Sequence, residues 1–477
     1  MKNISIWNDN IKLQNFSKKN FENEVDILII GGGITGLTTA YFLKDTNYKV
    51  MLIDKSNIGN GITSKTTAKI SYLQGIIYQT ITNYFGINTS KLYLESQLEA
   101  INIIKDIIDR NNISCDLEKV DSIIFTLENS GVSKIYEEKK ILESFNVDVD
   151  AVFSENIKIG IKVKDTYVFN PIKYLNKIVE LIKDKINIYE NIIARNIKKS
   201  GNRFILETDK GNIKTKKIIV ACHYPFFILP SLIPLKTYIK REYVNAAKFK
   251  SNKKITALSI DKNLHSIRFY KDYIIYGSNK HKLTNQIDYK KNYEKSQKDF
   301  FKYFNIKPEY TWMNHDIVSN DNLPLIGSIH KDLYIATAYN AWGITNGTIA
   351  AKIISDSILN NESKYKLLFD PKRSNKNLII NSILGSFNYL KAYTQSLFMK
   401  NNPYYIKIKG IKYGVYTDNE NKKHMVKLIC PHMKCSLVFN REENTWDCPC
   451  HGSRFDLDGK LLFGPATKNL ENESKSV

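Results

Sequence analysis

The sequence predicts an α/β body built on a parallel sheet, an α+β region interleaved with it, and a small all-β domain at the C-terminal end. Three observations carry this. A strand–turn–helix–strand unit opens the body within about thirty residues. Helical and alternating-strand patterns mix through the middle. From about Tyr404 onward, short strands, glycine turns and clustered Cys and His take over. The chain has 477 residues, a length that fits two to four domains. Hydrophobic residues at 43% and aromatics at 12% supply a core and exclude wholesale disorder. Six cysteines in this length exclude a disulfide-stapled mini-protein.

The elements follow in order. Residues 1–24 form a polar arm containing Trp7 and Phe16. Val25 to Ile30 is an apolar run of the kind buried in a parallel sheet. Gly31-Gly32-Gly33-Ile34-Thr35-Gly36 follows, then a helix from Leu37 to Lys44 and a second apolar run ending at Asp54. Helical patterns span Lys91 to Asn111 and Pro171 to Lys185; strand patterns span Arg203 to Thr208, Lys217 to Cys222, Tyr273 to Tyr276 and Leu333 to Thr337. A helix runs from Gly343 to about Leu359, and an amphipathic stretch at 378–398 repeats Ile379, Ile383, Phe387, Leu390 and Leu397 at helical spacing.

The net charge of +22 invites a nucleic-acid reading. Residues 401–477, however, carry 12 Lys and Arg against 9 Asp and Glu, so the charge is spread along the chain. It is a background bias that favours an acidic protein partner or an anionic surface, and no nucleic-acid motif accompanies it. No apolar run approaches the ~18 residues of a membrane span, and the N-terminus lacks the apolar segment of a secretory signal. A soluble, cytoplasmic protein without a transmembrane segment is expected.

The Gly31-x-Gly33-x-x-Gly36 spacing has a dinucleotide-binding context: a buried strand before it, a helix after it, and Asp54 at the end of the next strand. Gly31 permits the tight turn, Gly33 admits the diphosphate to the backbone, and Gly36 allows close packing. The diphosphate would sit on N–H groups at the helix's positive end, with Asp54 receiving a ribose hydroxyl. This fingerprint does not choose between NAD and FAD; its place at the start of the body favours FAD.

Further residues resemble the FAD-dependent amine and amino-acid oxidoreductases, the group containing D-amino-acid oxidase, glycine oxidase and sarcosine oxidase. The likeness covers roughly residues 25–360. It rests on IIGGGITGLTTAYFL at the start, GITSKTTAKIS at 61–71, YENIIARNI at 189–197 and DNLPLIGSI with LYIATAYNAWGITNGTIAAKII at 321–354. The resemblance implies an α/β FAD-binding Rossmann-type domain (about 25–95, 155–225 and 315–365) with an α+β substrate domain (about 96–154 and 226–314). It implies that Ser64, Thr66 and Thr67 lie by the diphosphate and flavin, that Ala194 meets adenine through its backbone, and that Gly343, Ile344 and Thr345 aim a helix N-terminus at the flavin pyrimidine. A positive helix end there stabilises anionic reduced flavin. Two departures stand out: Ala338 replaces the usual Gly, and no cysteine stands where relatives attach flavin covalently, so FAD is expected to be non-covalent.

Cys430-Pro431-His432 and Cys448-Pro449-Cys450-His451 place four of six cysteines (with Cys435) and two of eight histidines within 430–451. Two thiolates and two imidazoles can bind zinc or a [2Fe–2S] cluster. The arrangement resembles the Rieske family over about 404–470. That resemblance implies that Cys430 and Cys448 bind one iron and His432 and His451 the other, at a potential of about −150 to +300 mV. It further implies a Cys435–Cys450 disulfide, a covering loop at Gly464-Pro465-Ala466, and a hydrogen bond from Ser453 to a cluster sulfur. Phe455 stands where high-potential members have Tyr. As a buried thiol pair, Cys435 and Cys450 would have a different role.

The expected domains are therefore a 1–24 arm, a 25–365 FAD-dependent oxidoreductase, a 366–403 linker helix and a 404–477 Rieske domain. The expected function is oxidation of a C–N bond of an amine or amino acid, with electrons passing from FAD through the cluster to an external acceptor. The alternatives are an oxygen-using oxidase with a non-essential cluster, a reductase running in the opposite direction, and a non-enzymatic redox sensor or electron-transfer protein. Hydride transfer needs no acid or base from the chain, so no catalytic residue is assigned; Arg268 and His281 are weighed as carboxylate-binding groups and read as structural.

Overall fold

The structure, a computed structural model, describes residues 1–473 apart from 10, 12–13, 15, 17–20, 227–232, 284–287, 375–393 and 395–403. Branched aliphatic residues fill the strands Glu24–Ile30 and Val50–Ile53 and the end of Gly211–Val220, and helices cover them. Ile27 to Ile30 pair in parallel with Val50 to Ile53 on one side and with Lys217 to Val220 on the other. The first strand thus has its sequence neighbour on one flank and a distant segment on the other. Such a switch in strand order opens a crevice beyond the strand ends, where α/β sheets bind ligands. Leu333–Thr337 and Asn187–Tyr189 extend the parallel sheet, Leu325–His330 adds an antiparallel edge, and Ala194–Ser200 with Arg203–Thr208 forms an antiparallel flap.

A nine-stranded mixed sheet forms the second layer. Its order is Tyr310–Ser319, Thr237–Lys248, Tyr273–Lys282, Ser266–Tyr270, Ile255–Ser259, Glu118–Thr126, Ile157–Val168 and Lys69–Ile70, with Asp150–Ser154 beside Ile157–Val168. Tyr310–Ser319 is buried at all ten positions and crosses residue 315 without a break. Helix Gly343–Ile358 returns to pack on helix Ile34–Leu43, where a Cβ at Gly347 would lie 2.7 Å from Thr35 Oγ1. Ala338, where a Gly is usual in the resembling family, has φ +60°, a left-handed conformation that alanine adopts at a cost.

The N-terminal arm is less polar in its packing than in its composition. Trp7 is buried, its indole N–H donates to Thr66 O at 2.7 Å, and the Arg268 guanidinium lies over its ring. The amphipathic stretch at 378–398 falls, apart from Thr394, outside the described residues.

From Tyr405 two small antiparallel sheets form: Tyr405–Ile408, Ile411–Thr417 and Lys423–Lys427; then Val438–Asn440, Thr445–Asp447, Arg454–Phe455 and Leu461–Phe463. Trp446 anchors their core, and a side chain on Gly414 would enter its ring at 2.4 Å. No described helix is long and apolar enough to cross a membrane.

Candidate active site and metal centre

Between the first strand and first helix the backbone has no room for a side chain at Gly31 or Gly36. Gly31 has φ +112°, and its Cβ would fall 2.6 Å from Ala221 O; a Cβ on Gly36 would fall 1.9 Å from Gly31 O. At Gly33 a Cβ would meet only Thr63 Oγ1, at 3.2 Å, so the turn is otherwise uncovered. The helix start has no side-chain cap from Gly33, although Thr63 Oγ1 accepts the Ile34 N–H. Asp54 accepts N–H bonds from Gly32 (2.7 Å) and Ser56 (2.8 Å), which oppose the upward push of burial on its pKa.

A cavity of about 570 Å³ lies over this turn. Gly31, Gly33, Asp54, Thr66, Ala194, Gly343 and Ile344 line it, as an extended dinucleotide requires. Thr67 instead lines a second cavity of about 280 Å³ that shares Thr66, Ala341, Gly343 and Ile344 with the first. Those shared residues form the boundary between the two spaces. Three of the expected residues line neither cavity. Ser64 Oγ donates to Gly61 O, Gly36 serves packing, and Thr345 Oγ1 accepts from Gln74. Gly343 begins its helix without a side-chain cap, leaving the positive end open to a ligand.

Arg268 and His281 take structural roles. Arg268 spends its guanidinium on the carbonyls of Thr67, Ala68 and Phe169. His281 stacks on Tyr243 and bonds Asn279 O. The residues that sequence reading passed over are His223 and His315, both lining the larger cavity. Burial holds His223 down to about 4 and His315 well below the ordinary imidazole value, so both are neutral.

In the C-terminal domain the Cys430 and Cys448 thiols hydrogen-bond each other, and N–H groups of His432 and Met433 reach Cys430 while those of Cys450 and His451 reach Cys448. Ser453 also bonds Cys430, and its hydroxyl accepts the Ala466 N–H from the covering loop. The rings of His432 and His451 meet edge-on at 4.8 Å, and burial keeps both neutral, as metal ligands must be. His432 Nδ1 is buried with no partner among the described residues, which suits a metal-ligating atom. Cys435 and Cys450 form a disulfide. Cys448 lies within 4.8 Å of both their sulfurs, yet only Cys448 of those three has a thiol to offer, so the two-Cys, two-His set fits the cluster better.

This domain is docked on the larger cavity. Phe463 inserts beside His315, stacked at 5.2 Å with 13° between planes, with Lys55 Nζ 5.2 Å from its ring. Arg241, fully buried, donates to His315 Nε2 (2.7 Å) and to Asp447 Oδ2 (3.3 Å) across the interface. Asp447 is also held by Arg454, which pairs with Glu443, and Glu443 receives the Tyr293 hydroxyl. The His451 ring lies 6.4 Å from Tyr224, a lining residue of the cavity.

Comparison with known proteins agrees with this geometry. The family model described as FAD dependent oxidoreductase matches residues 26–357, and that of the Rieske [2Fe-2S] domain matches 388–473. YhfW of Bacillus subtilis (strain 168), named for a Rieske 2Fe-2S iron-sulfur protein, is 30% identical over 98% of this chain and 97% of its own. Glycine oxidase from Geobacillus kaustophilus shares the fold with a TM-score of 0.63 at 12% identity, over 74% of this chain and all of that one. L-proline dehydrogenase from P. horikoshii does so at 0.62 and 16%, over 74% and 98%. The chain belongs to the FAD dependent oxidoreductase family and carries a C-terminal Rieske [2Fe–2S] domain.

Proposed function

We propose that the protein oxidises a C–N bond of an amine or amino acid and that the electrons leave through the Rieske domain to an external acceptor, with an acidic redox protein as the partner that a net charge of +22 favours. When bound, FAD supplies two-electron hydride chemistry and the [2Fe–2S] cluster supplies one-electron exchange. The observation that carries this reading is the docking of the His451 edge of the C-terminal domain against Tyr224, a wall of the flavin cavity.

The chain's own residues divide the work. Gly31, Gly33 and the first helix start receive the diphosphate, Asp54 the ribose, and Ala194 the adenine. The open helix end at Gly343 and Ile344 supports negative charge on the pyrimidine side. Cys430, Cys448, His432 and His451 hold the irons, while Lys55, His315 and Phe463 fill the space between the domains. The second cavity, across Thr66 and Ala341, is the place for a small-molecule substrate. Anaerobic addition of amines and amino acids, with flavin and cluster absorbance followed together, tests the reading. Flavin colour lost before cluster colour is the expected result. Reoxidation by oxygen at an unchanged rate in Cys430→Ser would favour the plain oxidase instead.

A further inference from the structure

The second cavity has an unusual floor. Glu242 is 7% exposed, and a Cβ on Gly277 would fall 2.4 Å from its Oε1, so the neighbouring strand gives up a side chain to make room for this carboxylate. Opposite Glu242 the strand Tyr273–Lys282 bulges, because Arg241 and Tyr243 pair with His281 and Ser278. Asn279 takes φ +54° in the bulge, and Lys280 is brought to Asp316 (2.9 Å) and to Glu242 (4.0 Å). Bulges recur next to active sites, where they re-aim side chains.

Among the described residues no hydrogen bond reaches the Glu242 carboxylate, and its one ion-pair contact is that long reach to Lys280. A buried carboxylate without donors is costly unless something else supplies them. The same cavity holds Lys69 and Lys240, neither within ion-pair distance of a described carboxylate. Lys69 Nζ donates to Ala257 O and Ser266 Oγ. Burial presses Lys69 down to about 7 and Lys240 to about 8, and pushes Glu242 up. A ligand bearing both charges would relieve all three.

We propose that this cavity binds a small molecule carrying an amino group and an anionic group, with Glu242 receiving the amine and Lys69 and Lys240 the anion. Glu242 is thus a substrate-binding residue that neither the glycine fingerprint nor the cluster motif indicates. This rests on the amine-oxidising reading above and narrows it: amines without an anionic group are poor ligands.

The test is equilibrium binding to the FAD- and cluster-loaded protein, read from perturbation of the flavin absorbance. The probes are N-methylglycine and L-proline, each against its oxygen analogue, methoxyacetate and tetrahydrofuran-2-carboxylate. In the parent protein each amine should bind about tenfold or more tighter than its analogue, the factor one charge-assisted hydrogen bond carries. In Glu242→Gln the amines should weaken by that factor while the analogues tighten, since a repelling charge is gone. Lys240→Met should weaken all four. A purely structural Glu242 would weaken amine and analogue alike, and that outcome, equal affinities in the parent, or no saturable binding overturns the assignment. If the affinity pattern holds but no amine reduces the flavin, amine oxidation fails and the binding assignment stands. If amines bleach the flavin without the pattern, the reverse is true.

Discussion

Replacing Arg241 with Met should loosen the C-terminal domain from the flavin cavity. Arg241 is wholly buried and links Thr237–Lys248 to Asp447 in the other domain. Removing one partner of a buried ion pair costs about 3–5 kcal/mol. Two facts lower that figure. Asp447 keeps Arg454 and Thr445, so it is not left unpaired. Arg241 Nη1 is itself buried without a partner among the described residues, so its removal recovers about 1 kcal/mol. The net cost is about 2 kcal/mol, roughly a 30-fold shift toward the undocked state. Hydrogen–deuterium exchange over Thr445–Asp447 and Leu461–Phe463 measures it: protection should fall by about that factor, while Glu24–Ile30 stays unchanged. Protection within twofold of the parent would refute the view that this ion pair latches the domains.

Gly36→Ala, whose Cβ would enter Gly31 O at 1.9 Å, should yield protein that retains its cluster but not FAD; in the parent, acid precipitation should release all of the flavin, as a non-covalent cofactor requires. His223, held down to about 4 by burial, is neutral when folded and titrates near 6.5 when unfolded. The folded state then binds fewer protons, so stability should be lost as pH falls from about 6.5 to 4, by up to roughly 3 kcal/mol; His223→Asn should flatten the denaturation midpoint over that window. Replacing Cys435 and Cys450 by Ala opens a loop with a sequence separation of 15 and should destabilise the Rieske domain by about 3 kcal/mol, visible as bleaching of the cluster at lower temperature. Ala338→Gly relieves a left-handed alanine but loosens the unfolded chain, so a net gain within about 1 kcal/mol is expected by chemical denaturation.

The parts legible in the sequence are those that local chemistry dictates. Gly31, Gly36 and the buried strand before them announce a tight turn because nothing larger fits, and Leu333–Thr337 and Arg203–Thr208 are read at their true ends from alternation or apolar runs. The Cys430–His451 cluster is legible because its ligand types are rare and close in sequence. What escaped depends on contacts between distant segments. His223 and His315 are 92 positions apart: His223 follows Gly211–Val220 of the eight-stranded sheet and His315 lies in Tyr310–Ser319 of the nine-stranded one, so they meet at the flavin cavity only where the two sheets come together. Ser64 and Thr345 fit the motifs, yet their hydroxyls turn to Gly61 and Gln74; backbone position was predictable and side-chain direction was not. The role of Glu242 depends on a bulge in another strand, which no periodicity reveals.

Residues between 443 and 466 contribute part of the wall of the larger cavity, with Phe463 among the side chains that line it. The two cofactor regions are therefore not independent modules: a change that unfolds the C-terminal domain would also strip away part of the wall of the neighbouring cavity.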